Sequence, residues 1–230
     1  MLTEIILISI CGSLLCLDRV FIQAMISRPV VIAPLLGFFL HNIYAGLIIG
    51  ALIELIWIDR LPLGAYIPPN DSLAAVVAVS ITAVTGSRLG SVSPELIAFG
   101  VLLAIPCGMM AKQMDVIIIK SNDALSDQAL EDAKENNIKA IERKSYLGLM
   151  KVFLSYAVFL FAVLTMLIPF VSWIYPHFNG TLLKALAVTY YFLPLLGIAV
   201  AMNMLKLRNT IPIVCAVFLV VATVLEYFHV

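Results

Sequence analysis

Charged side chains are scarce in this chain: they make up 12% of its 230 residues, whereas 63% are hydrophobic. Soluble domains carry about a quarter charged residues, so this scarcity excludes an ordinary soluble protein. The charges also cancel, with 14 basic and 14 acidic residues, and a balanced chain has no basic surface for nucleic acid. The composition therefore predicts a multi-pass protein of the lipid bilayer that binds no nucleic acid.

Cysteine and histidine are too few and too scattered to build a metal centre. The four cysteines form no C-x-x-C pair, and no histidine stands at ligand spacing from any of them. All lie in apolar stretches, as Cys11, Cys16, Cys107 and Cys215. We interpret them as small buried side chains, not as a disulfide framework or zinc ligands. We expect no metal and no cofactor.

Signatures of soluble enzymes and of secretion are also missing. The chain contains no G-x-x-x-x-G-K-[ST], G-x-S-x-G or H-E-x-x-H motif, so we predict no catalytic residue. Nucleotide chemistry would need another chain. The N-terminus has Glu4 where a signal peptide has basic residues, and it lacks an A-x-A cleavage site. We expect it to remain as a membrane segment.

Long apolar runs supply the predicted membrane spans, since a helix needs about 20 apolar residues to cross a bilayer. Prolines inside such runs are tolerated where neighbouring helices satisfy the freed backbone groups. The candidate spans are residues 2–17 continued by 20–26, then 73–84, 95–119, 147–175, 182–205 and 210–228. They predict an all-α polytopic integral membrane protein.

One stretch, residues 120–145, is polar and predicts a soluble helical connection. Its apolar residues recur at helical spacing, and Glu135 and Lys139 form an i,i+4 pair. It is either a solvated linker or a docking arm for a soluble partner. Its Lys/Arg cluster, the densest in the chain, predicts a cytoplasmic location. We divide the chain into a membrane group at 1–119, this connection at 120–146 and C-terminal spans at 147–230.

The most unusual stretch is residues 28–71. Two apolar runs, 30–40 and 43–58, are short and contain glycines, and a Pro/Gly-rich segment, 61–71, follows them. Short or Gly/Pro-interrupted hydrophobic segments are the best sequence pointer to a transporter's binding site. We therefore predict re-entrant or broken half-helices that form a binding site.

Glu54 is the sharpest candidate, because an acid inside an apolar run is costly unless it faces a partner or a polar cavity. It either accepts hydrogen bonds from a polar solute or is a structural acid paired with an arginine. The possible arginine partners are Arg28, Arg60 and Arg88.

The Pro/Gly segment supplies the other candidates. Its prolines exclude a regular helix, so free backbone groups there can bind the hydroxyl groups of a polar solute. Asn70 and Asp71 can do the same, or can cap the next helix. His41-Asn42 fits a polar hairpin tip. The full set of candidate substrate-binding residues is Glu54, Asn70, Asp71, His41, Asn42 and Gly64.

Four motifs within this stretch carry a family resemblance: RP at 28–29, PLLG at 34–37, GLIIGALIELIW at 46–57 and GAYIPPND at 64–71. As a set they resemble the IIC subunit of the mannose–fructose–sorbose family of bacterial phosphotransferase permeases. These motifs cover roughly a fifth of the chain, and the rest of the chain agrees with the family only in length and hydropathy.

The resemblance implies a sugar-translocating subunit of the bacterial cytoplasmic (inner) membrane, acting on a hexose or related sugar, and implies an oligomer. It implies a IID membrane partner and soluble IIA and IIB proteins that carry phosphoryl groups, while the IIC chain itself is not phosphorylated. By position, Glu54 matches the family's acid and Asn70 its polar residue closing the proline loop.

The chain also departs from the family pattern. Many members have Gly-Asp in place of His41-Asn42 and Pro-Asp in place of Pro69-Asn70, so an acid is displaced to Asp71. Two alternatives therefore stay open: a proton-coupled secondary transporter with Glu54 as proton carrier, and a non-transporting sensor or assembly subunit.

Overall fold

A computed structural model describes residues 2–60, 64 and 66–204. Within these residues the regular structure is helical, and four helices are long and apolar enough to cross a membrane. The predicted all-α membrane class is thus confirmed, while the predicted span at 210–228 and Cys215 lie outside the described residues. The helices are α1 (Leu2–Cys16), α2 (Pro29–Phe39), α3 (Ile43–Ile56), α4 (Asp71–Leu89), α5 (Pro94–Lys134), α6 (Ile138–Ile174) and α7 (Gly180–Met204).

Helix α4 forms the core of the bundle. Its residues 72–86 are all buried, and it contacts α1, α2, α3, α5 and α6. The small side chains of this helix (Ala, Val, Ser and Thr) permit such close packing, because small residues let membrane helices approach. A Cβ atom on Gly100 of α5 would lie 2.3 Å from Thr82 Oγ1. That position therefore admits only glycine without a shift.

Helices α2 and α3 form a hairpin of half-length helices. With 11 and 14 residues they are about 16 and 21 Å long, too short for a hydrocarbon core of about 30 Å. Gly46 and Gly50 interrupt the apolar run but not helix α3. A Cβ atom on either would lie 2.5 Å from a carbonyl oxygen of α2, that of Ala33 or Pro29. These glycines are the contact points of the hairpin.

The polar connection is not a separate helix but the shared end of α5 and α6. No proline or glycine interrupts the sequence from 109 to 134, so α5 continues to Lys134. It ends where Asn136 takes a left-handed φ of 54°, and Asn137 then caps α6 through a hydrogen bond from Ala140 N–H. Lys144 pairs with Asp132 across this helical hairpin. We call residues 120–145 the arm.

The predicted continuation of the first span through residues 20–26 is wrong. Helix α1 ends at Cys16, and a 3₁₀ turn over Leu17–Arg19 leads into an irregular loop. The Asp18 carboxylate accepts hydrogen bonds from the N–H groups of Ala24 at 2.8 Å and Ser27 at 3.1 Å. These bonds draw the chain back on itself, and helix formation competes poorly with such local side-chain to backbone bonding.

Candidate functional site

A polar cavity of about 500 Å³ lies where the loop after α1 meets the end of α3 and the start of α4. Its charged lining balances, with three carboxylates and three guanidinium groups: Asp18, Glu54, Asp71, Arg19, Arg28 and Arg60. Ligand pockets commonly enclose about 300–1,000 Å³, so this space can hold a small polar solute. We call it the polar cavity.

Glu54 lies in the wall of the polar cavity and is paired with an arginine. Its Oε1 accepts a hydrogen bond from Arg28 Nη1 at 3.0 Å, and its Oε2 accepts one from Val30 N–H at 3.4 Å. The second bond satisfies a free N–H in the first turn of α2, which Arg28 leaves without a side-chain cap. A carboxylate is favoured at such a helix N-terminus. Of the three arginines predicted as partners, the ion pair uses Arg28.

A second ion pair joins the loop after α1 to α4. Arg19 Nη1 donates to Asp71 Oδ1 at 2.9 Å, and Asp71 lies in the first turn of α4. Asp18 is anionic beside it: burial raises its pKa, but the hydrogen bonds from the Ala24, Ser27 and Ile26 backbone outweigh burial and hold the pKa below its ordinary value. The Asp18-Arg19 pair, which lies in the 3₁₀ turn after α1, thus shapes the polar cavity.

Asn70 lies behind the cavity wall, with none of its surface exposed. Its Oδ1 accepts from Leu73 N–H at 3.0 Å, so it caps α4, and its Nδ2 donates to Asp115 Oδ2 at 2.9 Å. Residues 66–70 are non-helical, and Gly64 has a left-handed φ of 62°, with no other described atom within 4 Å of a Cβ placed there. Pro62 lies outside the described residues.

His41 and Asn42 lie at the other end of the hairpin. They line a separate cavity of about 710 Å³ together with Glu4 and Arg88. Asn42 and Glu54 are 12 positions apart along α3, which corresponds to about 18 Å. The polar cavity therefore brings together Glu54 and Asp71 of the candidate set, with Asn70 behind it, and does not include His41 or Asn42.

Asp115 and Tyr156 are buried polar residues that the sequence analysis missed. Asp115 Oδ1 accepts a hydrogen bond from Tyr156 Oη at 3.1 Å, and the two residues are 8% and 3% exposed. The available signal was an ionisable residue inside a long apolar helix, which marks a functional position by default. Among the described residues, no group of three or more His, Cys, Asp or Glu side chains is placed to hold a metal ion.

The bundle, its half-length hairpin and the polar cavity define an α-helical membrane protein with broken spans beside a polar site. A match to the family described as the PTS system sorbose-specific IIC component extends over residues 2–228. The chain therefore belongs to this family.

Curated relatives agree with this family. A chain of Escherichia coli (strain K12) with the provisional name N-acetylgalactosamine permease IIC component 2 is 34% identical over 41% of this chain and 64% of its own length. The mannose-specific EIIC component of the same strain is 23% identical over 60% of this chain and 49% of its own length. This chain thus spans about half to two thirds of these relatives. The sorbose-specific EIIC component of Lacticaseibacillus casei is 24% identical over 91% of this chain and 73% of its own length.

Two solved structures share the fold. One, described only as a membrane protein, has a TM-score of 0.75 at 21% identity and covers 96% of this chain and 86% of its own. The other, the mannose transporter ManYZ in complex with microcin E492, has a TM-score of 0.61 at 19% identity, covering 96% and 85%.

Proposed function

We propose that this chain is the sugar-translocating IIC subunit of a mannose-family phosphotransferase system in the bacterial cytoplasmic membrane. The observation that carries the proposal is the polar cavity, in which two ion pairs, Arg28–Glu54 and Arg19–Asp71, lie at the end of a half-length helical hairpin. Family membership and the mannose, sorbose and N-acetylgalactosamine names of the relatives support a sugar as substrate.

Sugar hydroxyls suit this cavity because each hydroxyl donates one hydrogen bond and accepts others. The carboxylates of Glu54 and Asp71 accept, while the guanidinium groups of Arg28 and Arg19 donate. Because the charged side chains that line the polar cavity balance, a neutral solute can bind there without leaving one of them unpaired. Hydrogen bonds to charged groups also contribute more than neutral ones, which favours a polyhydroxyl ligand over an apolar one.

Both ion pairs join separate elements, and this arrangement suits alternating access. Arg28 connects the loop before α2 to α3, and Arg19 connects the end of α1 to α4. A sugar that exchanges hydrogen bonds with either pair has a different affinity for the joined and the separated arrangement. Such differential affinity is what shifts a conformational equilibrium. A IID membrane subunit completes the permease, and soluble IIA and IIB proteins supply the phosphoryl group to the arriving sugar.

Sugar uptake into cells tests this function. The chain is expressed with a candidate IID subunit and the soluble carriers in bacteria that lack other permeases of this family. We expect uptake that requires phosphoenolpyruvate and yields phosphorylated sugar. Uptake that is abolished by a protonophore but persists without a phosphoryl donor would instead establish proton-coupled transport. Binding to the IID subunit with no sugar bound or transported would indicate a sensor or assembly role.

Glu54→Gln tests the polar cavity itself. The amide keeps one acceptor oxygen but loses the negative charge that pairs with Arg28 and turns the second acceptor into a donor. Charge-assisted hydrogen bonds worth about 1.5–3 kcal/mol are therefore weakened or lost, so we expect sugar affinity to fall about tenfold or more. The measurement is the concentration dependence of uptake. Glu135→Gln, in the turn between α5 and α6, is the matched control and should behave as the parent. Unchanged affinity in Glu54→Gln would exclude Glu54 from the sugar site.

A further inference from the structure

One face of α5 holds the proline-rich loop in place. Gly108, Lys112 and Asp115 follow one another at i, i+4 and i+7 and therefore share a helix face. Each contacts the loop at residues 66–70. Gly108 O accepts from Asn70 N–H at 3.1 Å, and Lys112 Nζ lies 4.9 Å from the centre of the Tyr66 ring. Asp115 adds the hydrogen bond to the Asn70 side chain.

The Asp115 carboxylate determines how the Asn70 amide is oriented. A carboxylate only accepts hydrogen bonds, so Asn70 must turn its Nδ2 toward Asp115 and its Oδ1 toward Leu73 N–H, as observed at 2.9 and 3.0 Å. The second carboxylate oxygen is bound by Tyr156 of α6. One buried acid thus joins the start of α4, the middle of α5 and α6.

The position of this acid is informative because its partner Asn70 directly precedes a residue that lines the polar cavity. Asp71, the next residue along the chain, lines the polar cavity and pairs with Arg19. Any tilt of the Asn70 cap would therefore move a wall of the cavity.

We propose that Asp115 is a positioning residue for the sugar site, which holds Asn70 and the loop against α5 and so fixes the first turn of α4 at the cavity wall. This role rests on the proposed function, since it acts on the same cavity. Asp115 does not itself line the cavity; it acts through Asn70 and the first turn of α4.

Exchanging the two side chains tests the role. Asn70→Asp alone places two carboxylates opposite each other in a buried site, a strongly unfavourable arrangement. The double variant Asn70→Asp with Asp115→Asn restores every bond with the roles reversed, because the carboxylate at 70 can accept from both Leu73 N–H and the new amide at 115. That amide's oxygen still accepts from Tyr156. Tyr156→Phe removes the other bond to Asp115 and leaves Asn70 in place.

The measurements are the KM and maximal rate of phosphoenolpyruvate-dependent uptake, together with the unfolding temperature of each purified variant. We expect KM to rise at least tenfold in Asn70→Asp and to return to within about threefold of the parent in the double variant. Tyr156→Phe should lower the unfolding temperature while changing KM less than twofold. Rescue of KM by the exchange is a result that a merely structural role would not produce.

Two results would overturn the role. If the parent transports sugar but the folded double variant shows no recovery of KM, Asp115 does not position the site, and the proposed function is unaffected. If KM stays constant in every folded variant, the cluster is structural only. Absence of uptake by the parent would overturn the proposed function first and this role with it, so the two failures are distinguishable.

Discussion

His41 adopts a left-handed backbone conformation, with φ of 56°, at the turn between α2 and α3. Asn42 N–H bonds to Gly37 O and His41 N–H to Phe38 O, the pair of bonds of a Schellman motif. Glycine normally occupies the left-handed position of this motif, since a residue with a Cβ atom is disfavoured there by about 1–2 kcal/mol. Histidine at this position therefore carries a conformational cost.

His41→Gly should therefore stabilise the protein by about 1 kcal/mol, because the strain at this turn is relieved. The measurement is thermal unfolding of the purified protein in detergent. His41→Ala is the matched control: it also removes the imidazole but keeps the Cβ atom, so it should give no gain. An equal gain in both variants would trace the effect to the imidazole and contradict the strain argument.

At the scale of elements, the α2–α3 hairpin depends on close backbone contact. Gly50→Ala places a Cβ atom 2.5 Å from Pro29 O, and backbone cannot move aside as a flexible side chain can. Overpacking of this kind costs about 1–3 kcal/mol, so we expect the unfolding temperature to fall by about 2 °C or more. Gly180→Ala is the control: at the start of α7, the added Cβ atom has no atom of the described residues within 4 Å, so this variant should change little. An unaltered unfolding temperature in Gly50→Ala would mean that α2 and α3 leave room for a methyl group at this position, and would contradict the close contact between them.

Apolar runs, glycines and prolines predicted most of these elements. The runs at 73–84, 95–119 and 147–175 correspond to α4, α5 and α6, and the short runs at 30–40 and 43–58 to the half-length hairpin. The errors have local causes. The loop after α1 forms because the Asp18 side chain bonds to backbone six and nine residues ahead, and spacing alone does not reveal such a bond.

The candidate site was predictable only in part, for a related reason. Glu54 interrupts a short apolar run and is conspicuous. Asp115 lies close to Lys112 near the end of a predicted span, in a helix that continues beyond the membrane-length segment. In the sequence it therefore resembles the ordinary polar end of a span. Its importance comes from Asn70 and Tyr156, which are 45 and 41 residues away in the chain. No sequence period connects such partners; the packing of α4, α5 and α6 brings them together.

At the scale of the whole molecule, the polar cavity and the arm lie toward the same end. Helix α4 starts at the cavity with Asp71 and runs away from it to Leu89, and α5 returns past Gly108, beside Asn70, before it continues into the arm. The opposite end holds His41, Asn42 and Arg88. The arm extends about 20 Å past residue 119, since 15 residues of α5 follow. Its location decides which side of the membrane the cavity faces.

The Lys/Arg cluster of the arm predicts that this end is cytoplasmic, the side on which the proposed phosphoryl carriers would act. Two cysteine variants at exposed positions report on the two ends of the helix bundle. One is Glu135→Cys in the turn of the arm, and the other is Thr181→Cys at the start of α7. A membrane-impermeant maleimide should label Thr181→Cys in intact cells and Glu135→Cys only after permeabilisation, with the parent chain as the control for the native cysteines. The reverse pattern would place the arm and the cavity outside, where no phosphoryl carrier reaches an arriving sugar, and would contradict the coupling of transport to phosphorylation.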